Sequence, residues 1–219
     1  MVASPKNTDA TSRGKPRNVS SLERRFDILE VSRVLLSEEG YDQLSLRKIA
    51  RRVGIHLKTL QHYFPTKENL IQSTLEHTYT IYTEATEKLS SRTTNAAELF
   101  KKYIRYLIKD DKNRQTAGFF LQLWARAHVD EATNNTMMSM YDNHTDNLLR
   151  LMEPLNPQMD HKMRRQRAVM IAALIEGMML FIGYGKKRHR GIGNIETELV
   201  KLCFRLATDI ESTKPLESN

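Results

Sequence analysis

Polar and basic side chains gather on a short stretch near residue 60 that ends at a proline. Within residues 57–63 (LKTLQHY), helical spacing turns Leu60 toward a core. Lys58, Gln61 and His62 then lie on the opposite side. Such side chains hydrogen-bond to phosphates and base edges, and glutamine can pair with adenine through two bonds. Seven helical residues span about 10 Å, which suits a major groove about 12 Å wide. The stretch predicts a helix that reads DNA.

A second short helix must hold this one in place. Four apolar residues recur at positions i, i+3, i+4 and i+7, one face of a helix: Leu46, Ile49, Ala50 and Val53. Ser45 is a suitable N-cap for it, and Gly54 can end it by adopting positive φ. Pro65 stops the helix that follows. Two short helices joined by such a turn are typical of a helix-turn-helix.

The charge distribution favours a phosphate-binding surface at the same place. The 219 residues carry a formal net charge of +8. Residues 1–70 contain 13 Lys and Arg against 8 Asp and Glu, a net of +5. The other 149 residues contain 21 and 18, a net of +3. Positive charge at the helix-turn-helix suits DNA binding, although a basic protein without that function remains an alternative.

The remaining sequence predicts helices throughout. Residues 1–20 predict a disordered basic arm, and an apolar stripe that includes Leu22 and Phe26 predicts a helix over about 22–39. Thr66 is a plausible N-cap for a long helix to about Leu89, and Asn95 caps the next. Helices are predicted over about 66–89, 95–108, 116–129, 131–152, 159–184 and 195–210, with a charged turn over 109–113. The pattern predicts an all-α chain of about nine helices.

The helix-turn-helix residues and their neighbours resemble the DNA-binding domain of the TetR family of transcriptional regulators. The resemblance rests on Ile28-Leu29, Gly40-Tyr41, Ile49-Ala50, Gly54, Thr59-Leu60, Tyr63-Phe64 and Lys67-Glu68-Asn69-Leu70. It covers residues 22–71, under a quarter of the chain. His56, where a Ser or Thr N-cap is usual, and Gln61, where Tyr is common, depart from the pattern, so the operator sequence does not carry over.

The resemblance implies a three-helix DNA-binding domain and a helical ligand-binding and dimerisation domain. We place them at residues 21–68 and 69–219. The predicted DNA contacts are Ser45, Arg47, Leu57, Lys58, Thr59, Gln61, His62, Tyr63 and Lys67. For Thr59, Tyr63, Ser45, Arg47 and Lys67 this assignment follows the resemblance. The alternatives are a structural role for Tyr63, capping by Ser45, and solvated charge for Arg47 and Lys67.

Aromatic side chains of the second part predict a ligand cavity. The candidates that line it are Tyr103, Phe120, Trp124 and Tyr141. Because these and the methionines carry few charges, we expect an apolar or amphipathic small-molecule effector. The alternative is that they form ordinary helical core, since aromatic and Met side chains fill cores generally.

The helix over 159–184 is apolar around most of its girth, more than one intramolecular face needs. The apolar pattern of this helix and of the last helix predicts a homodimer interface formed by Ala173, Gly177, Phe181, Leu202 and Leu206. The resemblance to the TetR family implies the same arrangement. The alternative is that the helix is simply the buried centre of its domain.

The sequence contains no catalytic motif, no metal-ligand spacing and no apolar run long enough to span a membrane. We therefore expect no enzymatic activity, metal, cofactor or membrane partner. Cys203 is the single cysteine, so a reducing, cytoplasmic location is expected. The resulting hypothesis is a repressor of a palindromic double-stranded DNA operator, released by its effector. The alternative is a ligand-independent or nucleoid-associated DNA-binding protein with a fully packed C-terminal domain.

Overall fold

A computed structural model describes residues 20–209, and the predicted arm over residues 1–20 lies outside them except for Ser20. The described part contains nine α-helices, which confirms the all-α fold class. They are α1 Ser21–Glu39, α2 Leu46–Val53, α3 Leu57–Tyr63, α4 Lys67–Ser90, α5 Ala96–Asp110, α6 Arg114–Ala127, α7 Glu131–Met152, α8 His161–Ile182 and α9 Ile195–Thr208. A 3-10 turn, Glu153–Leu155, follows α7.

Local capping explains where the first helices begin and end. Ser45 Oγ accepts a hydrogen bond from the backbone N–H of Lys48 at 3.3 Å and starts α2. Gly54 ends α2 in the left-handed region, with φ of 78°. Thr66 Oγ1 caps α4 by accepting from the N–H of Asn69 at 3.1 Å. These three boundaries confirm the prediction from sequence.

Several later boundaries differ from the prediction by two residues. Helix α5 continues through Lys109 to Asp110, because the hydroxyl groups of Tyr82 and Thr116 hold the Asp110 carboxylate and the turn needs only residues 111–113. Asn113 caps α6, which therefore begins at Arg114 and not near Thr116. Helix α8 is shorter than predicted, because Asp160 caps its start and Gly183 follows its end.

The first hydrophobic core joins α1–α4 to α6 and part of α7. Its members include Ile28, Leu36, Ile49, Leu60 and Leu70 from the first four helices and Phe119, Phe120, Leu123 and Met140 from α6 and α7. Two members predicted for the α1 stripe lie outside it. Leu22 is 63% exposed and Phe26 is 43% exposed. The first turns of α1 lie at the edge of this core, where the ring of His77 is 5.4 Å from that of Phe26.

Helices α1 and α6 pack at very short range around Gly118. A Cβ atom built on Gly118 would lie 2.6 Å from the carbonyl oxygen of Ser37 on α1. Only a residue without a side chain allows this approach. The contact connects the helix-turn-helix part to the rest of the chain through packed backbone.

The second hydrophobic core lies among α5, α7, α8 and α9. Its fully buried members include Phe100, Ile104, Leu148, Ile171 and Cys203. It packs α8 and α9, which carry the predicted dimerisation residues, against α5 and α7, which carry Tyr103 and Tyr141 of the predicted effector residues.

Candidate DNA interface and effector cavity

Helix α3 presents one polar face to solvent and one apolar residue to the core. Leu60 is fully buried. Four of the predicted DNA contacts on this helix are exposed and two are half-buried: Lys58, Thr59, Gln61 and His62, then Leu57 and Tyr63. His56, at the N-cap of α3, makes no side-chain capping bond. Its side chain is therefore not used to begin the helix, as its departure from Ser or Thr predicts.

The surface around α2 and α3 is positively charged, because the stretch that forms it contains basic residues and no acidic ones. Residues 43–67 include six Lys and Arg and no Asp or Glu. Arg47, Arg51 and Arg52 are exposed, whereas Lys48 forms an ion pair with Glu39 of α1. A surface of this charge attracts the phosphates of double-stranded DNA.

Lys67, predicted to contact phosphate, makes an internal contact. Its Nζ donates a hydrogen bond to the carbonyl oxygen of Tyr41 at 2.6 Å and lies 3.9 Å from the centre of the Tyr41 ring. Arg126 of α6 lies 4.5 Å from the centre of that ring. Tyr41 therefore joins the start of α4 to α6 through two cations, a link that the sequence did not reveal.

A cavity lies among α4, α5, α6, α7 and α8. It is about 30 Å³ in volume, room for roughly two water molecules. Three of the four predicted effector residues, Tyr103, Phe120 and Tyr141, line it. Trp124 does not line it, but its Nε1 donates a hydrogen bond to the Tyr141 hydroxyl at 2.6 Å. The indole of Trp124 therefore contacts a residue of the cavity lining without itself lining the cavity.

The cavity also contains charged groups that sequence reasoning missed. Asp111, His144 and Glu176 line it together with the aromatic residues, so the expected scarcity of charges is wrong. Asp111 lies in the stretch 109–113, for which the sequence predicts a charged turn, and Glu176 belongs to the predicted helix over 159–184. Their convergence depends on how α5, α7 and α8 pack, which no local pattern encodes.

Burial shifts the protonation of these groups strongly. Burial, with help from nearby Glu176 and Asp110, raises the pKa of Asp111 to about 8. Burial also raises the pKa of Glu176 to about 7, an effect that Tyr141 partly offsets. Burial lowers the pKa of His144 to about 4, so its imidazole is neutral near pH 7. Neutral pH therefore lies close to the titration of both carboxyl groups.

Helix α8 has a buried face and an apolar exposed face. Ala168, Ile171 and Ile175 are buried in the second core. The opposite face exposes Phe181 to 58% and leaves Ala173 exposed and Gly177 partly exposed. On α9, Leu202 is exposed and Leu206 is partly exposed. The predicted interface residues thus lie on an apolar surface that the protomer leaves uncovered.

Within residues 20–209, no group of three or more His, Cys, Asp or Glu side chains is placed to hold a metal ion. Likewise, none of the helices in this described range is long and apolar enough to cross a membrane.

The arrangement of α1–α4, with α3 exposed on a basic surface, defines a helix-turn-helix DNA-binding protein. Residues 28–74 match the family model for bacterial regulatory proteins, tetR family. The HTH-type transcriptional repressor KstR of Mycolicibacterium smegmatis is 32% identical over 75 residues. That stretch is 34% of this chain and 33% of KstR, so the chain matches about a third of the relative's length.

Solved structures share the fold over most of the chain. A putative TetR-family transcriptional regulator from Rhodococcus sp. superposes with a TM-score of 0.72 and 15% identity, covering 85% of this chain and all of the other. A putative transcriptional regulator from Saccharomonospora viridis, solved with choline, has a TM-score of 0.62 and 18% identity over 84% of this chain and 94% of its own. The chain thus carries a DNA-binding domain of the tetR type at residues 28–74 and shares the fold of TetR-family regulators over most of its length.

Proposed function

We propose that the protein is a homodimeric repressor that binds a palindromic operator and leaves it when a small molecule enters the cavity. The observation that carries this proposal is the exposed polar face of α3, opposite the buried Leu60, on a basic surface. The short helix α3 is rigidly backed by the core that also reaches α6 and the cavity. Repression is proposed because KstR, which is 32% identical over 75 residues, is a repressor.

The proposed contacts divide into two kinds. Lys58, Gln61 and His62, with Leu57 and Thr59, face the base edges in the major groove. Arg47, the N-terminus of α2 at Ser45, and Tyr63 contact the phosphate backbone, which fixes the position of α3. Lys67 retains N–H donors beyond the one used on Tyr41, and it is included among the phosphate contacts.

Release by a ligand follows from linkage between the cavity and the two recognition helices. In a dimer these helices must lie one DNA turn apart, about 34–36 Å or a multiple of it. A ligand that prefers a different spacing must weaken operator binding. Phe120 lines the cavity and belongs to the core shared with α1–α4, so a change in the cavity reaches the DNA-binding helices through packed side chains. A cavity with unpartnered polar atoms favours this function over the ligand-independent alternative.

Selection of operators from random double-stranded DNA tests the proposal. We expect palindromic sequences whose half-sites are one helical turn or a multiple apart. On the selected operator, Gln61→Ala should relax preference at one base pair in each half-site, costing on the order of 1–3 kcal/mol there. Arg47→Ala should instead weaken binding to all sequences alike and reduce the salt slope by about one unit. Fluorescence anisotropy over a salt series distinguishes the two.

Exposed Lys109 of α5 offers a matched control, since Lys109→Ala removes a positive charge away from α3. Its operator affinity and salt slope should remain those of the unmodified protein. Uniform loss across sequences for Gln61→Ala would refute base reading by that side chain, and failure to select any sequence would refute the operator itself.

The proposed dimer is tested at Gly177. A Cβ atom at this position meets nothing within 4 Å in the protomer, so a larger side chain has room there. Against a second α8, however, leucine would overpack the contact. Gly177→Leu should therefore shift the protein toward monomers while the protomer stays folded, as measured by light scattering and circular dichroism.

Ala125→Leu on the exposed side of α6 controls for added apolar surface and should leave the dimer intact. An intact Gly177→Leu dimer of unchanged thermal stability would place the interface elsewhere.

A further inference from the structure

Four polar atoms around the cavity have no hydrogen-bond partner within 3.5 Å among the described residues. They are Tyr103 Oη, Asp111 Oδ2, His144 Nε2 and Glu176 Oε2. Tyr103 is fully buried and Asp111 is only 9% exposed. Unpaired polar atoms in such surroundings are costly, and proteins normally pair them. All four residues line the same cavity, which identifies it as a place where partners are supplied from outside the chain.

The sign of the missing partner follows from the residues that surround the carboxyl groups. Asp110, next to Asp111, is fully engaged: its Oδ2 accepts from the Tyr82 hydroxyl at 2.7 Å and from Thr116 at 3.2 Å. Asp111 and Glu176 have no comparable donors for the oxygens named above. Among the described residues that line the cavity there is no Lys or Arg. A positive charge with N–H donors is therefore what this site lacks.

The walls suit the apolar part of the same ligand. Tyr79, Tyr82 and Phe120 line the cavity with Tyr103 and Tyr141, and Leu107, Met140 and Ile175 complete the apolar lining. Aromatic faces attract cations and also pack against short alkyl chains. The combination of two carboxyl groups with aromatic walls is selective for a cation that has an apolar body.

We propose that the effector of this regulator is a small primary ammonium compound. Its ammonium group is held between Asp111 and Glu176, and its alkyl part lies along the aromatic walls. This inference rests on the proposed function, because it names the ligand class of the same cavity. It narrows the expected apolar or amphipathic ligand to a cationic amphipathic one. The volume of about 30 Å³ has room for roughly two heavy atoms, the ammonium nitrogen and its neighbour, so the remaining alkyl carbons require the aromatic walls to move apart.

The direct test compares two probes of equal size. The n-propylammonium ion and propan-1-ol have the same number of heavy atoms and differ in charge and donors. Isothermal titration calorimetry should find at least about tenfold tighter binding of n-propylammonium, because charge-assisted hydrogen bonds are the stronger ones. Emission of Trp124, hydrogen-bonded to Tyr141 in the cavity wall, should change over the same concentrations.

Variants locate the binding site. Glu176→Gln keeps the shape of the side chain and removes its charge, so it should weaken n-propylammonium binding about tenfold or more and leave propan-1-ol binding unchanged. Glu84→Gln, on the exposed surface of α4, is the matched control and should bind as the unmodified protein does. Circular dichroism and operator affinity without ligand confirm that each variant is folded.

The outcomes separate this inference from the proposed function. If operator binding is intact but both probes bind equally weakly, the cavity is merely hydrated and the ammonium proposal is refuted. The same holds if Glu176→Gln binds n-propylammonium normally. If n-propylammonium binds as expected while no operator can be selected, the ligand site stands and the repressor function fails. Tetramethylammonium, a cation without N–H donors, should bind more weakly than n-propylammonium; tighter binding would refute the ammonium hydrogen bonds.

Discussion

Replacement of Gly118 by a larger residue is expected to destabilise the protein in proportion to the size of the new side chain. The ideal Cβ position is 2.6 Å from the Ser37 carbonyl oxygen, a backbone atom that has no rotamer with which to move away. Overpacking of this kind typically costs 1–3 kcal/mol. We expect a loss of roughly 1 kcal/mol or more for Gly118→Ala and about 3 kcal/mol for Gly118→Val in the free energy of unfolding, measured by urea denaturation.

Gly118→Ala should lower the free energy of unfolding, which is the opposite of what this substitution does at an unconstrained helix position. In an exposed helix interior, replacing glycine by alanine raises stability by about 1 kcal/mol, because it reduces the freedom of the unfolded chain. A loss therefore requires the contact with α1. Ala125→Val, on the exposed side of the same helix, should cost at most about 0.7 kcal/mol. If Gly118→Ala instead raised the free energy of unfolding, the backbones of α1 and α6 would have to lie further apart around Gly118 than 2.6 Å from Cβ to the Ser37 oxygen implies.

The α1–α6 contact also shows where sequence reasoning stops. Ser45, Gly54 and Thr66 act on the backbone within a few residues, so the boundaries they set could be predicted from local chemistry alone. The helix-turn-helix and the exposed side of α3 followed from them. Gly118 makes its contact with a residue 81 positions earlier in the chain. Nothing near it in sequence indicates that a close backbone approach is needed there.

The candidate sites divide in the same way. The polar face of α3 is defined by one helix, and spacing alone separated Leu60 from Lys58 and Gln61. Lys67 was predicted from its position at the start of α4, but its contact with Tyr41 depends on the turn between α1 and α2. From the sequence, Lys67 is recognisable as a basic residue at the start of α4. The sequence did not indicate that the ammonium group of Lys67 donates a hydrogen bond to the carbonyl oxygen of Tyr41.

The cavity required three helices to converge, and its chemistry was accordingly misjudged. Tyr103, Phe120 and Tyr141 were identified because aromatic residues on amphipathic helices are conspicuous. Asp111 follows the last residue of α5 and Glu176 belongs to the middle of α8, so neither belongs to a recognisable motif. They come to line one cavity with His144 only when α5, α7 and α8 pack together.

Asp111 should dominate the dependence of stability on pH. In the folded protein its pKa is raised to about 8, against an ordinary value of 3.8. Between these values the folded state keeps a proton that the unfolded chain releases. The stability that this proton contributes is fully present below pH 4 and is lost as pH rises toward 8. The free energy of unfolding should therefore fall between pH 5 and pH 8.

Asp111→Asn removes this titration, so the free energy of unfolding of the variant should decrease less between pH 5 and pH 8. At 1.36 kcal/mol per pKa unit, the variant should gain roughly 2–4 kcal/mol on the unmodified protein between pH 5 and pH 8. Urea denaturation at fixed protein concentration and ionic strength measures the difference. Glu176, whose pKa is also raised, keeps a smaller slope in the same direction. Leu107→Val, in the wall of the same cavity, should cost about 1 kcal/mol equally at both pH values. Parallel pH profiles for Asp111→Asn and the unmodified protein would mean that Asp111 carries its charge in the folded state without penalty, and that the cavity is open to solvent.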